Sequence, residues 1–296
     1  RASMPVQIDR MCAAIGAVSS GTELVRCGDT EFEQIRDALH EHQVIFVRDA
    51  HLTPDQQLAV AQRLGEPSIF PVAKLRGASE PSLQTIEDGP DSPPTAEMWH
   101  TDVTWTQTPP SYAILCGITI PTVGGDTLWS SMFAAYDALS APIRELLDGC
   151  VGEHTTDSFT ESILSRGSNS KAAHELVAEI NATYPRVLTH PLVRTHPVTG
   201  RSALFLGGPS LRAIKGLAPH ESDALVGMLK THIADERFQC RWRWQAGDVA
   251  IWDERSTMHR AAADHFPQRR AVRRVEIDGD RPYFDSAAPT RLAPAS

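Results

Sequence analysis

The stretch Gly247-Asp248-Val249-Ala250-Ile251-Trp252-Asp253-Glu254-Arg255-Ser256-Thr257-Met258-His259 is followed closely by Gln268-Arg269-Arg270-Ala271-Val272-Arg273-Arg274. Residues 248–252 form a short apolar run bounded by Gly and Asp, which reads as a buried strand. The segment 271–277 reads as another strand, and 239–244 as a third. Working outward, strand-like pieces recur at 44–47, 111–120, 127–129, 192–196 and 202–206, and an opening strand is expected within 7–20. Helical spacing marks 30–42, a helix opened by Thr53 and Pro54 and closed by Gly65, 131–149 and 219–233. Many short strands with few helices predict a mainly β domain with flanking helices, a sandwich or jelly roll rather than alternating βαβ units. No repeat or linker divides the chain, so residues 1–296 are expected to form a single domain.

Two segments break the pattern. Residues 66–98 are rich in Pro, Ser, Gly and Asp and show little periodicity, and 155–185 are polar and partly helical. A long loop inside a compact domain is commonly functional, and the first of these runs straight into the densest motif of the chain. Both are expected to be lids.

That motif is Trp99-His100-Thr101-Asp102. On an extended strand, residues i and i+2 project to the same side, so His100 and Asp102 offer a nitrogen and an oxygen to one metal ion. His259 supplies a second histidine. Two histidines and one carboxylate on one face, with the remaining positions open, form the ligand set of non-haem Fe(II) oxygenases. The open positions suit a chelating 2-oxo acid and O2. Alone, H-x-D is an unspecific pattern. Arg270, eleven residues after His259, and Arg274 fall on one face of the 271–277 strand. A pair of inward arginines is costly without anions and suits a carboxylate clamp; a solvated basic edge strand would read the same way.

With these residues in view, the chain resembles the taurine dioxygenase family of Fe(II)- and 2-oxoglutarate-dependent oxygenases, which includes alkylsulfate and phenoxyalkanoate dioxygenases. The resemblance runs from about residue 7 to about 283. It is carried by Trp99-His100-Thr101-Asp102-Val103-Thr104, Thr108-Pro109-Pro110, Gly124-Gly125-Asp126-Thr127-Leu128-Trp129, His190-Pro191-Leu192-Val193-Arg194-Thr195-His196-Pro197, Arg241-Trp242-Arg243-Trp244, residues 247–253 and Pro267-Gln268-Arg269-Arg270. It implies a double-stranded β-helix (jelly roll, cupin-like), with Fe(II) on His100, Asp102 and His259. The distal carboxylate of 2-oxoglutarate would lie on Thr127 and Arg270, and the anionic end of the substrate on Arg274. Succinate and CO2 would be the co-products of a hydroxylation. A homo-oligomer is implied as well.

The resemblance departs from the taurine enzyme at the substrate wall. Where that enzyme carries a histidine, a tyrosine and an asparagine, this chain has Phe70, Ala73 and Ala96. Loss of those polar contacts favours a larger or more apolar substrate. The expectation is therefore a small anionic substrate: a sulfonate, an alkyl sulfate or an aryloxy or alkyl carboxylate. Taurine dioxygenase proper is the alternative. Asp102 argues against a halogenase, which leaves that position empty for halide. The intact motif set argues against a degraded, non-enzymatic binding protein.

Bulk properties agree. Hydrophobic residues make up 41% and charged residues 22%, as in ordinary soluble proteins. The net charge of −9 disfavours nucleic acid and anionic membranes as partners. No apolar run reaches membrane-spanning length, and no apolar signal segment opens the chain. Five cysteines without a C-x-x-C pair read as reduced thiols. A cytoplasmic enzyme is expected.

Overall fold

The computed structural model describes residues 6–21, 23–80 and 83–287. Its framework is a seven-stranded sheet facing a three-stranded one. The large sheet runs in the order Gln7–Arg10, Ala17–Ser20, Val44–Val47, Val249–Asp253, Tyr112–Thr119, Arg270–Ile277, Gln84–Asp88. The small sheet places Thr127–Ser131 between Gln239–Trp242 and Thr257–Ala261. This is the expected sandwich of the jelly-roll kind.

Strand alternation explains how the layers are filled. In Val249–Asp253, Val249 and Ile251 join a core beneath the helices Asp29–His42 and Pro54–Leu64. Ala250 and Trp252 point the other way, into the space between the sheets, where they meet Trp129 and Trp242 of the small sheet. The continuous apolar run Val44-Ile45-Phe46-Val47 divides likewise, which is why it lacks alternation: both its faces are covered. Phe46 is fully buried, stacks on Trp242 with centroids 4.2 Å apart and meets Trp129 edge-on at 5.2 Å. On its outer side the small sheet packs through Met258 against a third core that includes the helix Pro219–Ile233.

The structure corrects the sequence reading in places. Residues 66–98 are not structureless. They contain the helix Pro71–Leu75 and the strand Gln84–Asp88, which pairs with Arg270–Ile277 as the edge of the large sheet. This strand carries a single apolar residue, Ile86, so it leaves no hydrophobic signature. Pro81 and Ser82 of the segment lie outside the described residues. The helical stretch 131–149 is two helices, Met132–Asp137 and Ala141–Asp148, divided where Ser140 caps the second. Residues 155–185 are largely helical, as Asp157–Arg166 and Lys171–Thr183, broken where Ser168 and Asn169 take positive φ. Three short strands, Val151–His154, Leu188–Pro191 and Leu211–Ile214, form a separate small sheet that the sequence reading did not include.

Truncating Phe46 to alanine leaves a void between Trp242 and Trp129. The expected cost is about 3–5 kcal/mol, the usual range for a buried phenylalanine, read as a lowered urea midpoint. A loss below about 1 kcal/mol would show that the intersheet core closes over the gap.

Candidate active site

The two histidines meet through the backbone. His100 and His259 form an isolated antiparallel bridge, with His100 N donating to His259 O at 3.0 Å and His259 N donating to His100 O at 2.8 Å. A pair that exchanges both bonds sets its side chains on the same side of the ladder, and the rings lie 4.2 Å apart. Only this bridge is extended; Asp102 lies in the turn that follows, not on a continuing strand. Val103 there has φ of 54°, and the backbone N–H of Asp102 donates to Glu254 Oε2 at 3.2 Å. The bend still delivers the carboxylate. Asp102 Oδ1 is 3.6 Å from His100 Nε2, and Oδ2 is 3.9 Å from His259 Nε2. One donor atom from each residue lies within 4.8 Å of the others.

Gly208 makes this approach possible. A Cβ there would sit 2.1 Å from the Trp99 carbonyl oxygen, and the residue has φ of 67°. The chain after Phe205-Leu206 thus lies backbone to backbone on the metal-side segment, which only glycine allows.

The donor set fits a divalent metal by its chemistry. The Nδ1 of His100 lies 2.8 Å from Met98 O; Nδ1–H donating there leaves the Nε2 lone pair free. Burial, reinforced by the neighbouring His100, pushes the His259 pKa down to about 3, so its ring is neutral and ligand-ready. Burial works to raise the Asp102 carboxyl, but Arg274, His259 and His100 outweigh it and hold the pKa well below the usual range. His259 Nδ1 is buried without a hydrogen-bond partner and lies 4.0 Å from Glu254 Oε1. Glu254 was not singled out from the sequence. It also accepts from Trp252 Nε1 at 2.7 Å, and burial, with Asp102 and Glu276 nearby, raises its pKa well above normal. Its only sequence signal is its place in the apolar-to-polar break after Trp252.

His259 shares its strand face with Ala261, which pairs with Thr127; both face the interior of the sandwich. From the opposite sheet, Arg270, Val272 and Arg274 project into the same space. Arg270 donates through Nε to Gly125 O at 2.8 Å and through Nη2 to Thr127 Oγ1 at 3.3 Å. Gly125, at φ of 76°, lets the arginine stem pass: a Cβ would be 3.0 Å from Arg270 Cδ. Thr127 Oγ1 accepts a second bond, from Trp244 Nε1 at 2.9 Å. With both acceptor positions used, its own O–H is left to donate into the cavity.

Arg274 lines this cavity too, beside two acids. Nη1 lies 2.6 Å from Asp102 Oδ2, and Nη2 lies 2.8 Å from Gln84 Oε1 and 3.4 Å from Glu276 Oε1. Phe70 comes close, with its ring 5.9 Å from the Arg274 guanidinium carbon, beside Phe159. Ala96 lines the cavity. Ala73 lies on the Pro71–Leu75 helix and is not among the described residues lining it.

Comparison with known proteins agrees with this architecture. Residues 7–275 match the family model described as taurine catabolism dioxygenase TauD, TfdA family. An alpha-ketoglutarate-dependent sulfate ester dioxygenase of Pseudomonas putida is 36% identical over 282 residues, covering 95% of this chain and 92% of that one. An alkylsulfatase of Acinetobacter baylyi is 32% identical over 93% of this chain and 86% of its own length. The crystal structure of a taurine dioxygenase from Burkholderia xenovorans superposes with a TM-score of 0.76 at 35% identity, covering 94% of this chain and 93% of that one. The chain belongs to the TauD/TfdA family and is an α-ketoglutarate-dependent dioxygenase, an oxidoreductase working with Fe(II), 2-oxoglutarate and O2.

Proposed function

We propose that His100, Asp102 and His259 hold the Fe(II), that Thr127 and Arg270 hold the distal carboxylate of 2-oxoglutarate, and that the enzyme hydroxylates a small anionic substrate, foremost a sulfate ester of an apolar alcohol. The observation that carries this reading is that the histidine pair and the Thr127–Arg270 pair line one cavity. Bound Fe(II) supplies O2 activation coupled to decarboxylation of 2-oxoglutarate, giving succinate and CO2. The protein's residues orient and exclude. His259 presents a neutral ring, His100 is oriented by the Met98 carbonyl, and Asp102 stays ionised beside Arg274. Thr127 donates a hydrogen bond from its hydroxyl to the cosubstrate carboxylate while Arg270 clamps that carboxylate.

The anionic end of the substrate is assigned to Arg274, with Phe70 beside it; Ala73, on the Pro71–Leu75 helix away from the cavity, is not carried over. An aromatic cluster supports an apolar wall: Phe70 meets Phe159 at 6.2 Å, and Phe159 stacks on Trp105 at 5.3 Å. The segments 66–98 and 155–185 serve as lids, since Phe70 and Phe159 come from one each. Hydroxylation at the carbon bearing the sulfate gives a hemiacetal ester that collapses to aldehyde and sulfate. The relatives acting on sulfate esters and alkyl sulfates support this class over taurine. We further assign the chain as one catalytic domain, a homo-oligomer by family likeness, that takes no nucleic acid or membrane as partner and works in the cytoplasm. Its five cysteines are all unpaired, and no helix among the described residues is long and apolar enough to cross a membrane.

Three outcomes are expected. Succinate should form with hexyl sulfate, accompanied by hexanal and sulfate, and poorly with taurine; efficient sulfite release from taurine without turnover of hexyl sulfate would reverse the assignment. His100→Ala and His259→Ala should each abolish Fe(II) binding while the far-ultraviolet dichroism stays native, and tight Fe(II) binding by either variant would remove that residue from the ligand set. Arg270→Ala should weaken 2-oxoglutarate by about 2–5 kcal/mol, measured by anaerobic titration; unchanged affinity would mean another residue holds the distal carboxylate.

A further inference from the structure

Behind the three candidate ligands stands an acid that they do not account for. Glu254 is 1% exposed, and no lysine or arginine among the described residues lies within ion-pair distance of it. A buried carboxyl group without a basic partner costs free energy, so packing alone is a poor reason for one here.

Its backbone is held firmly. Glu254 N donates to Ser111 O at 3.0 Å, Arg255 N to Asp253 Oδ1 at 2.9 Å and Met132 N to Ser256 O at 2.9 Å. These bonds pin the turn between the strands Val249–Asp253 and Thr257–Ala261. From that turn the carboxyl group meets three groups of the centre. Oε1 accepts from Trp252 Nε1 at 2.7 Å, Oε2 accepts from the backbone N–H of Asp102 at 3.2 Å, and Oε1 lies 4.0 Å from His259 Nδ1. That nitrogen is buried and has no hydrogen-bond partner. The Trp252 and His259 rings lie 5.0 Å apart, so fixing the indole also fixes the wall on which the imidazole rests.

An imidazole that binds a metal through Nε2 carries its proton on Nδ1, and an acceptor for that N–H sets the orientation and basicity of the ring. His100 has the Met98 carbonyl for this purpose. We propose that Glu254 is a positioning residue of the metal centre: it receives the Nδ1–H of His259 and holds the turn that carries Asp102. One carboxyl group then orients two of the three ligands from behind. The inference rests on the reading of His100, Asp102 and His259 as the Fe(II) ligands. It requires a small rotation of the His259 ring to bring the 4.0 Å contact to hydrogen-bond length. The bond to the Asp102 N–H is already made.

The test is anaerobic titration of metal-free protein with Fe(II), and with Co(II), whose paramagnetism moves the ring N–H protons of its histidine ligands clear of other resonances. In the unmutated protein His259 should give a slowly exchanging N–H signal, identified by its loss in His259→Ala. Glu254→Gln leaves one oxygen to serve three donors. It should weaken both metals about 10- to 100-fold and broaden or abolish the His259 signal, while the His100 signal stays. Glu254→Asp keeps the carboxyl group on a shorter stem and should recover part of both; should Glu254→Gln fail to fold, this variant carries the test, with a smaller loss. Urea unfolding of the metal-free variants separates a merely structural role, which would lower stability and leave the affinity and the His259 signal unmoved. Unchanged metal affinity, or weakened affinity with an unchanged His259 signal, would overturn this inference and leave the ligand set standing. If His259→Ala binds Co(II) as tightly as the unmutated protein, the ligand assignment falls and this inference with it.

Discussion

Two reciprocal hydrogen bonds between the backbones of His100 and His259 hold the site together. They join segments far apart in sequence and set both imidazoles on one side of a ladder. Everything else in the centre follows from that bridge. The strand Thr257–Ala261 needs the small sheet to fix its facing direction, and the small sheet needs the aromatic filling between the layers to hold it at the right height. The jelly roll is therefore the device that turns two distant histidines into neighbours.

The electrostatics of the centre are unusual in their density. Asp102, Glu254 and Glu276 are all buried, with one guanidinium, Arg274, beside Asp102 and Glu276. Burial and the neighbouring acids raise Glu254, and burial raises Glu276 to about 7 despite the opposing pull of Arg274. Asp102 alone is driven low by its cationic neighbours. Of the three, Asp102 is the one most firmly held as a carboxylate, and it is the one aimed at the histidines. This is how environment distinguishes chemically similar side chains.

Much of this was legible in the sequence, and for identifiable reasons. The buried strands 44–47 and 248–252 announce themselves because both their faces are apolar. His100 and Asp102 show themselves by their i, i+2 spacing, while His259, Thr127 and Arg270 gain their roles from the resemblance to the family. What escaped has physical causes as well. The edge strand Gln84–Asp88 gains its stability from backbone pairing with Arg270–Ile277 and has a single apolar side chain to show. Glu254 matters through what it meets in space, and it sits in no pattern that sequence spacing marks. The pairing of Arg274 with Asp102 could not be read from a strand period, because the partner comes from a turn on the far side of the cavity.

Gly208 has no side chain to offer the cavity, yet it stands against the Trp99 carbonyl and the His100 backbone more closely than any other residue type would permit. In a saturation scan scored on turnover it would be as intolerant as the candidate ligands His100 and His259, and a reader of such a map would be tempted to give it a chemical role. Its intolerance has a different origin: any added carbon is relieved only by displacing the peptide that aims His100. Functional maps of this enzyme thus carry a shadow of the site, cast by residues whose whole contribution is to take up no room.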